Sequence, residues 1–294
     1  MGINTIDWEE LWRQEKTDSY NDYWEKLSQD NAANKALWEE QAEGFNKIIF
    51  KASDHGEGRE DDYTSKMLAR IEVNPEWSVL DIGCGPGTLS IPLAKKAKSV
   101  TGLDISTQML KYLQQNAAEN SLNNIACINS PWKDAIADKK VGMHDVVVAS
   151  RSLEPLNIRE MLTDIDSIAR RAVYLTFSVV HLSLDFDVYR AVGRDISTQP
   201  AHIFIFNILN QMGIQANVEI IHSRLKTKIT NIEKTIDDIQ WRTAPFTPEE
   251  KAKAAKYLSS NLTGEDNSGY THEGYSKWAL VWWRKEDTDK GKEK

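Results

Sequence analysis

The residues best suited to chemistry sit in one run, Ser78-Val-Leu-Asp-Ile-Gly-Cys-Gly-Pro-Gly-Thr-Leu-Ser90, in which an apolar stretch leads into Gly83, Gly85 and Gly87. Glycines at a strand-to-helix turn let the backbone approach a ligand closely, and the helix beyond them offers N–H groups. A second stretch, Ser99-Val-Thr-Gly-Leu-Asp104, ends on an acid about 20 residues further on, where a carboxylate accepts both ribose hydroxyls in a nucleotide-binding βαβ unit. Ser106 is suited to cap the helix that follows, which leaves Asp104 for the ligand. The pair points to an adenosine-containing molecule. The glycines run Gly-x-Gly-x-Gly rather than Gly-x-Gly-x-x-Gly, and Asp81 stands just before them. A carboxylate there repels a pyrophosphate but attracts an ammonium group. S-adenosylmethionine carries an ammonium and a sulfonium and no phosphate, so it fits better than a dinucleotide. The competing reading of Asp81 is a strand-end turn residue.

The elements that must position these residues follow from hydrophobic patterning. Short apolar runs at 78–82, 99–103, 125–129, 145–149 and 172–177 alternate with helical segments such as 107–120 and 158–170, the pattern of parallel strands covered on both faces. Segments 217–225 and 277–284 are expected to complete the sheet as a hairpin-like pair, with Trp278, Leu280 and Trp282 on one face. The expected fold is α/β: a doubly wound, mostly parallel, seven-stranded sheet with an N-terminal helical cap and an insertion before the last two strands. The boundaries read as a cap or lid over 1–72, a cofactor-binding core over 73–177, a substrate-side insertion over 178–216, final strands within 217–285, and a charged flexible tail over 286–294.

The run Val79-Leu-Asp-Ile-Gly-Cys-Gly-Pro-Gly87 and the run Val100-Thr-Gly-Leu-Asp-Ile-Ser106, with Met109, resemble the first two motifs of the class I S-adenosylmethionine-dependent methyltransferases. The resemblance extends from about Val79 through Phe177 and implies a Rossmann-like methyltransferase fold. It implies that Gly83, Gly85 and Gly87 lie against the methionine part, that Asp104 holds the ribose, and that Ile105 and Met109 flank adenine. For Met109 the competing reading is helix packing. The third motif departs from the family's Gly-Asp: this chain has Ile128-Asn-Ser-Pro-Trp-Lys-Asp134. Trp132 is then a candidate to cover the adenine edge or to pack at the rim, with Asn129 or a backbone group serving the adenine amino group. Ser150 and Arg151, after the fourth strand, are expected to border the transferred methyl, with a surface salt bridge as the alternative for Arg151.

Methyl transfer from a sulfonium needs alignment and exclusion of water more than strong catalytic groups. The catalytic candidates are His181, Tyr189 and Arg151, with Asp185 and Arg190 as further substrate contacts. Tyr20, Tyr23, Trp24 and Trp38 are candidates for a lid over the cofactor, or for core packing. No Asn-Pro-Pro-Tyr or Asp-Pro-Pro-Tyr follows the fourth strand, and no cysteine stands there to attack a pyrimidine. The six histidines lack metal-ligand spacing, so no metal is expected. Lys plus Arg number 36 against 44 Asp plus Glu, a net charge of −8, which speaks against broad nucleic-acid binding. Apolar runs fall short of the roughly 20 residues of a membrane span. The first residues lack a secretory pattern and only Cys84 and Cys127 occur, so a reducing cytoplasm is expected, with a monomer or homodimer as the form. The leading expectation is a small-molecule methyltransferase producing S-adenosylhomocysteine. Protein or RNA methylation, or a non-catalytic regulator that binds the cofactor, are the alternatives.

Overall fold

The computed structural model describes residues 6–15, 29–47, 50, 59–153, 157–182, 184–194, 200–240, 245–261 and 270–285. In chain order the elements are α1 (Trp8–Glu15), α2 (Asn31–Asn46), β1 (Arg59–Asp61), α3 (Tyr63–Leu68), β2 (Ser78–Ile82), α4 (Ser90–Ala94), β3 (Ser99–Asp104), α5 (Thr107–Glu119), β4 (Ile125–Asn129) and α6 (Trp132–Ala137). They continue with β5 (His144–Ser150), α7 (Ile158–Ser167), β6 (Ala169–Leu182), α8 (Leu184–Val192), α9 (Ala201–Gln211), β7 (Asn217–Ile229), α10 (Ile232–Gln240), α11 (Pro248–Asn261) and β8 (Tyr270–Arg284).

The sheet order is β1-β7-β8-β6-β5-β2-β3-β4. Strands β2 to β6 are parallel, β8 lies antiparallel between β6 and β7, and the three-residue β1 adds an eighth, edge strand to the expected seven. The central strands β2 and β5 are buried almost throughout because both of their faces are covered. Val79, Val146 and Val148 point to one core with Tyr63, Met67, Tyr174 and Leu280. Their neighbours Leu80, Val147 and Ala149 point to the other, with Met161 and Leu162 of α7 and Ile205 and Leu209 of α9. The chain winds outward from β2 in both directions, through β3 on one side and β5 on the other. That reversal opens a crevice at the carboxyl end of β2, where open α/β sheets bind ligands.

The last two sheet strands differ from the hairpin-like expectation. Strands β7 and β8 do pair antiparallel, but α10 and α11 intervene. Strand β6 continues past Thr176 to Leu182, paired with β8 as far as Tyr275. Helices α8, α10 and α11 pack together there around Leu184, Val188, Ile236, Ile239, Phe246 and Leu258, with Ile229 from β7. Arg194 ties α8 to α11 by a two-pronged contact with Glu250 at 2.7 and 2.8 Å. The helical unit beside β6 therefore draws on 232–261 as well as on residues of the stretch 178–216. The Ile232, Ile236, Ile239 spacing that builds its core is a helical period that was legible in the chain. No helix among the described residues is long and apolar enough to cross a membrane.

Candidate active site

The glycine turn follows β2. Gly83 has φ of 67°, and its N–H donates to the Leu103 carbonyl at 2.7 Å, tying the turn to the neighbouring strand. A Cβ at Gly83 would meet the Ser152 Cβ at 2.3 Å. Gly85, with φ of 53°, differs: a Cβ there would meet nothing nearer than the Met109 Sδ at 4.0 Å. Its outer side is the open one, and Met109 borders it. Gly87 has a packing role, since a Cβ would meet Leu113 Cδ1 at 2.6 Å, where α5 lies against the turn.

Asp81 and Asp104 are both buried beside this turn. Burial pushes the Asp81 carboxyl up to about 6, against the Ser90 hydroxyl that donates to it at 2.6 Å, and the nearby Asp104 charge pushes the same way. Burial also raises Asp104, opposed by the N–H groups of Ser106 and Gly85 at 2.8 and 2.9 Å. Among the described residues no Lys, Arg or His forms an ion pair with either acid. Two buried carboxylates without a cation suit a ligand that supplies an ammonium group and hydroxyl donors.

The segment from Asp104 to Met109 is clamped from several sides. The Asn129 amide donates to the Asp104 and Ile105 carbonyls at 3.1 and 2.8 Å, and the Ser130 N–H donates to the Asp104 carbonyl at 3.1 Å. The Ser106 hydroxyl accepts from the Met109 N–H, so Ser106 caps α5 as expected. Glu39, from α2, accepts the N–H groups of Thr107 and Gln108 at 2.7 and 2.9 Å. Burial raises the Glu39 carboxyl, but those N–H groups outweigh it, and its pKa lies below the ordinary value. Glu39 was not legible as a site residue, because the helix end that it caps is 68 residues away. Its replacement by alanine is expected to cost about 1 kcal/mol of folding stability, the scale of a lost cap, with glutamine recovering part; denaturant titration of the three proteins measures this.

The Asn129 NH2 is thus spent on backbone carbonyls, and its Oδ1, the atom that an adenine amino group would need, accepts from the Thr107 hydroxyl at 3.1 Å. The neighbouring Ser130 hydroxyl is buried without a partner at this same strand end. That orphaned group, with the open side of Gly85, fits a polar ring seated beyond the carboxyl ends of β3 and β4. Ile105 is half-buried beside it, and Trp132 begins α6, packed against the main core with its ring 5.7 Å from Lys133 Nζ.

A second group lies at the end of β5 and beside it on β6, where Ser150 is in register with Thr176. The Tyr63 hydroxyl, from α3, is 2.7 Å from Ser150 Oγ and 2.8 Å from Thr176 Oγ1. The Arg151 N–H donates to Thr176 Oγ1 at 3.1 Å. Arg151 has a left-handed backbone, φ 59°, and its guanidinium lies 4.2 Å from the centre of the Tyr63 ring and 5.7 Å from that of Trp278. Tyr63 was missed in the sequence for the same reason as Glu39: 87 residues separate it from Ser150.

The other candidates are dispersed. Tyr189 is fully buried within the α8–α11 unit, donating its hydroxyl to the Ile239 carbonyl at 2.6 Å, so the expectation that it serves catalysis is corrected. The backbone of His181 lies on β6 opposite Ser276; its side chain is outside the described residues. Arg190 pairs with Asp187 in α8, and Asp185 lies on the same helix. Trp38 meets Phe45 edge-on within α2. Tyr20, Tyr23 and Trp24 lie outside the described residues. Among the described residues no group of three or more His, Cys, Asp or Glu could hold a metal ion.

Comparison with known proteins gives a consistent picture. A family model described as a methyltransferase domain matches residues 79–172. An uncharacterised protein of Haemophilus influenzae is 30% identical over 240 residues, covering 81% of this chain and 88% of that protein. A 23S rRNA (uracil(1939)-C(5))-methyltransferase of Pectobacterium carotovorum is 26% identical over 132 residues, which is 44% of this chain and only 29% of that enzyme. The structure of a candidate methyltransferase from Bacillus halodurans shares the fold, with a TM-score of 0.51 and 14% identity over 76% of this chain and 99% of that one.

Proposed function

We propose, from the premise that this chain belongs to the class I S-adenosylmethionine-dependent methyltransferases, that its methyl acceptor is a small molecule held between the end of β5, with Thr176 beside it on β6, and the α8–α11 unit. The cofactor is S-adenosylmethionine, which supplies an electrophilic methyl carbon on a sulfonium leaving group. In this reading Asp81 receives its ammonium group, Asp104 accepts the ribose hydroxyls, Gly85 admits the chain between them, and Ile105, Met109, Ser130 and Trp132 surround adenine. Ser150 and Arg151 border the methyl.

The observation that carries the acceptor class is the wall at the methyl end. It consists of the hydroxyls of Tyr63, Ser150 and Thr176 and the rings of Tyr63 and Trp278, and the helical unit with its own core is built on the same strands beyond it. A net charge of −8 gives little general attraction for a polyanion. Methylation at a pyrimidine carbon, as the rRNA enzyme's name describes, calls for a nucleophile that first adds to the ring. Burial raises the thiols of both Cys84 and Cys127, and Cys84 is packed beside Gly102. Neither supports that chemistry.

Calorimetric titration with S-adenosylhomocysteine, S-adenosylmethionine and NAD tests the cofactor site. Incubation with labelled cofactor and a fractionated cell extract tests the acceptor: label is expected in the small-metabolite filtrate, and label confined to the macromolecular fraction would remove the small-molecule reading.

The Asp81 assignment has a pH signature. Its pKa is raised from 3.8 to about 6, so the folded protein binds the proton more tightly than the unfolded chain. The stability this contributes is fully present below the unfolded value and is lost as pH rises through about 6. Ligand binding should run the opposite way, because the ammonium group needs the ionised acid. Affinity for S-adenosylhomocysteine is expected to fall by up to about tenfold per pH unit below that value. Asp81→Asn should flatten the profile between pH 5 and 7.5, read by calorimetry as about constant affinity.

A further inference from the structure

The start of α5 holds Glu39 and Asp104 together. Four N–H groups at a helix start have no acceptor within the helix. Here Asp104 Oδ1 takes that of Ser106 at 2.8 Å, Glu39 takes those of Thr107 and Gln108 at 2.7 and 2.9 Å, and the Ser106 hydroxyl takes that of Met109 at 3.1 Å. Two carboxylates from distant segments therefore share one helical turn. They are close enough that the Glu39 charge adds to burial in raising the Asp104 carboxyl. The far end of α2 is fixed on the other side of the cradle. The buried Asn116 amide nitrogen donates to Asn46 Oδ1, on α2, and to the Pro86 carbonyl of the glycine turn, both at 2.8 Å. Glu39 and Asn46 are about two turns of α2 apart, so one helix braces both the loop after β3 and the loop after β2.

We infer that Glu39 is a positioning residue for the cofactor, holding the segment from Asp104 to Met109 in the form that receives ribose and adenine. This rests on the assignment of Asp104, Ile105 and Met109 to the cofactor proposed above. Without the Glu39 carboxylate the N–H groups of Thr107 and Gln108 turn to water, and the first turn of α5 loosens. The Ser106 N–H moves with that turn, and with it the bond that fixes Asp104 Oδ1. Met109, which borders Gly85, moves as well. The ligand must then order the segment as it binds, which costs affinity.

Calorimetry with S-adenosylhomocysteine, and with methylthioadenosine by competition, tests this in the wild type, Glu39→Ala and Glu39→Gln. Methylthioadenosine keeps adenine and ribose and lacks the amino-acid end. Asp166→Ala is the control for lost stability, since it removes the acceptor of Trp283 Nε1 and Lys285 Nζ at the amino end of the sheet. Glu39→Ala should weaken both ligands about fivefold to tenfold, the affinity equivalent of a lost cap. Glutamine, whose amide oxygen can accept one of the two N–H groups, should recover part of this, and Asp166→Ala should leave both ligands within about twofold. Unchanged S-adenosylhomocysteine affinity in folded Glu39→Ala, or an equal loss in Asp166→Ala, would overturn the inference and leave Glu39 as a cap alone. A loss confined to S-adenosylhomocysteine would overturn it too, because the ribose and adenine end would then be untouched. Failure of the wild type to bind S-adenosylhomocysteine would instead overturn the cofactor-site assignment beneath it. If Glu39→Ala does not fold, Glu39→Gln carries the same comparison.

Discussion

Asp104→Ala should weaken S-adenosylhomocysteine binding by about 2 kcal/mol, roughly thirtyfold in Kd, through loss of charge-assisted hydrogen bonds to the ribose. The carboxylate is 8% exposed, and each of its oxygens already accepts one backbone N–H, from Ser106 and from Gly85. Each oxygen retains a lone pair for a ribose hydroxyl. Asp104→Asn separates the two duties. The amide oxygen can replace one carboxylate oxygen, but its NH2 group faces an N–H donor, so asparagine is expected to rescue little. Calorimetry at pH 7 decides this: affinity unchanged in the alanine variant would take Asp104 out of the cofactor site.

The second large effect distinguishes two neighbouring glycines. Alanine at Gly83 combines a left-handed backbone with a Cβ placed 2.3 Å from that of Ser152. The backbone cost is about 1–2 kcal/mol and the overpacking about 1–3 kcal/mol. Together these give about 3 kcal/mol of lost stability, a large part of a typical margin, with Tm lower by several degrees. Gly85→Ala has the backbone cost but open space beside it. It should cost about 1 kcal/mol in stability and lose most cofactor affinity, because the added methyl occupies the side from which the ligand approaches. Denaturant titration alongside calorimetry measures both. Similar stability loss in the two variants would show that the turn lacks the asymmetry described.

Legibility in the sequence followed sequence distance. The parallel strands could be read because each is apolar on both faces, and the glycine turn because its function requires glycine itself. The cap on α5 was readable because Ser106 and the helix it caps are adjacent. Where pairing partners lay far apart, reading failed. Asn129 looked free to meet a ligand until its amide was seen holding two carbonyls of the β3–α5 connection. Tyr189 looked like a substrate contact because it lies in the long connection after β6, yet Phe246, 5.8 Å from it edge-on, and the Ile239 carbonyl draw it into a core of its own.

The sequence by itself determined the doubly wound sheet, the glycine turn, the two acids beside it and the family to which they point, since these depend on local periodicity and on residue types that few other conformations accept. Only the tertiary structure decided that Glu39 caps α5, that Tyr63 joins Ser150 to Thr176, and that α10 and α11 pack with α8 into one core. Those contacts join segments whose own sequences carry no mark of their partners, and their hydrogen bonds and ring contacts exist only once the chain has folded into a single packing.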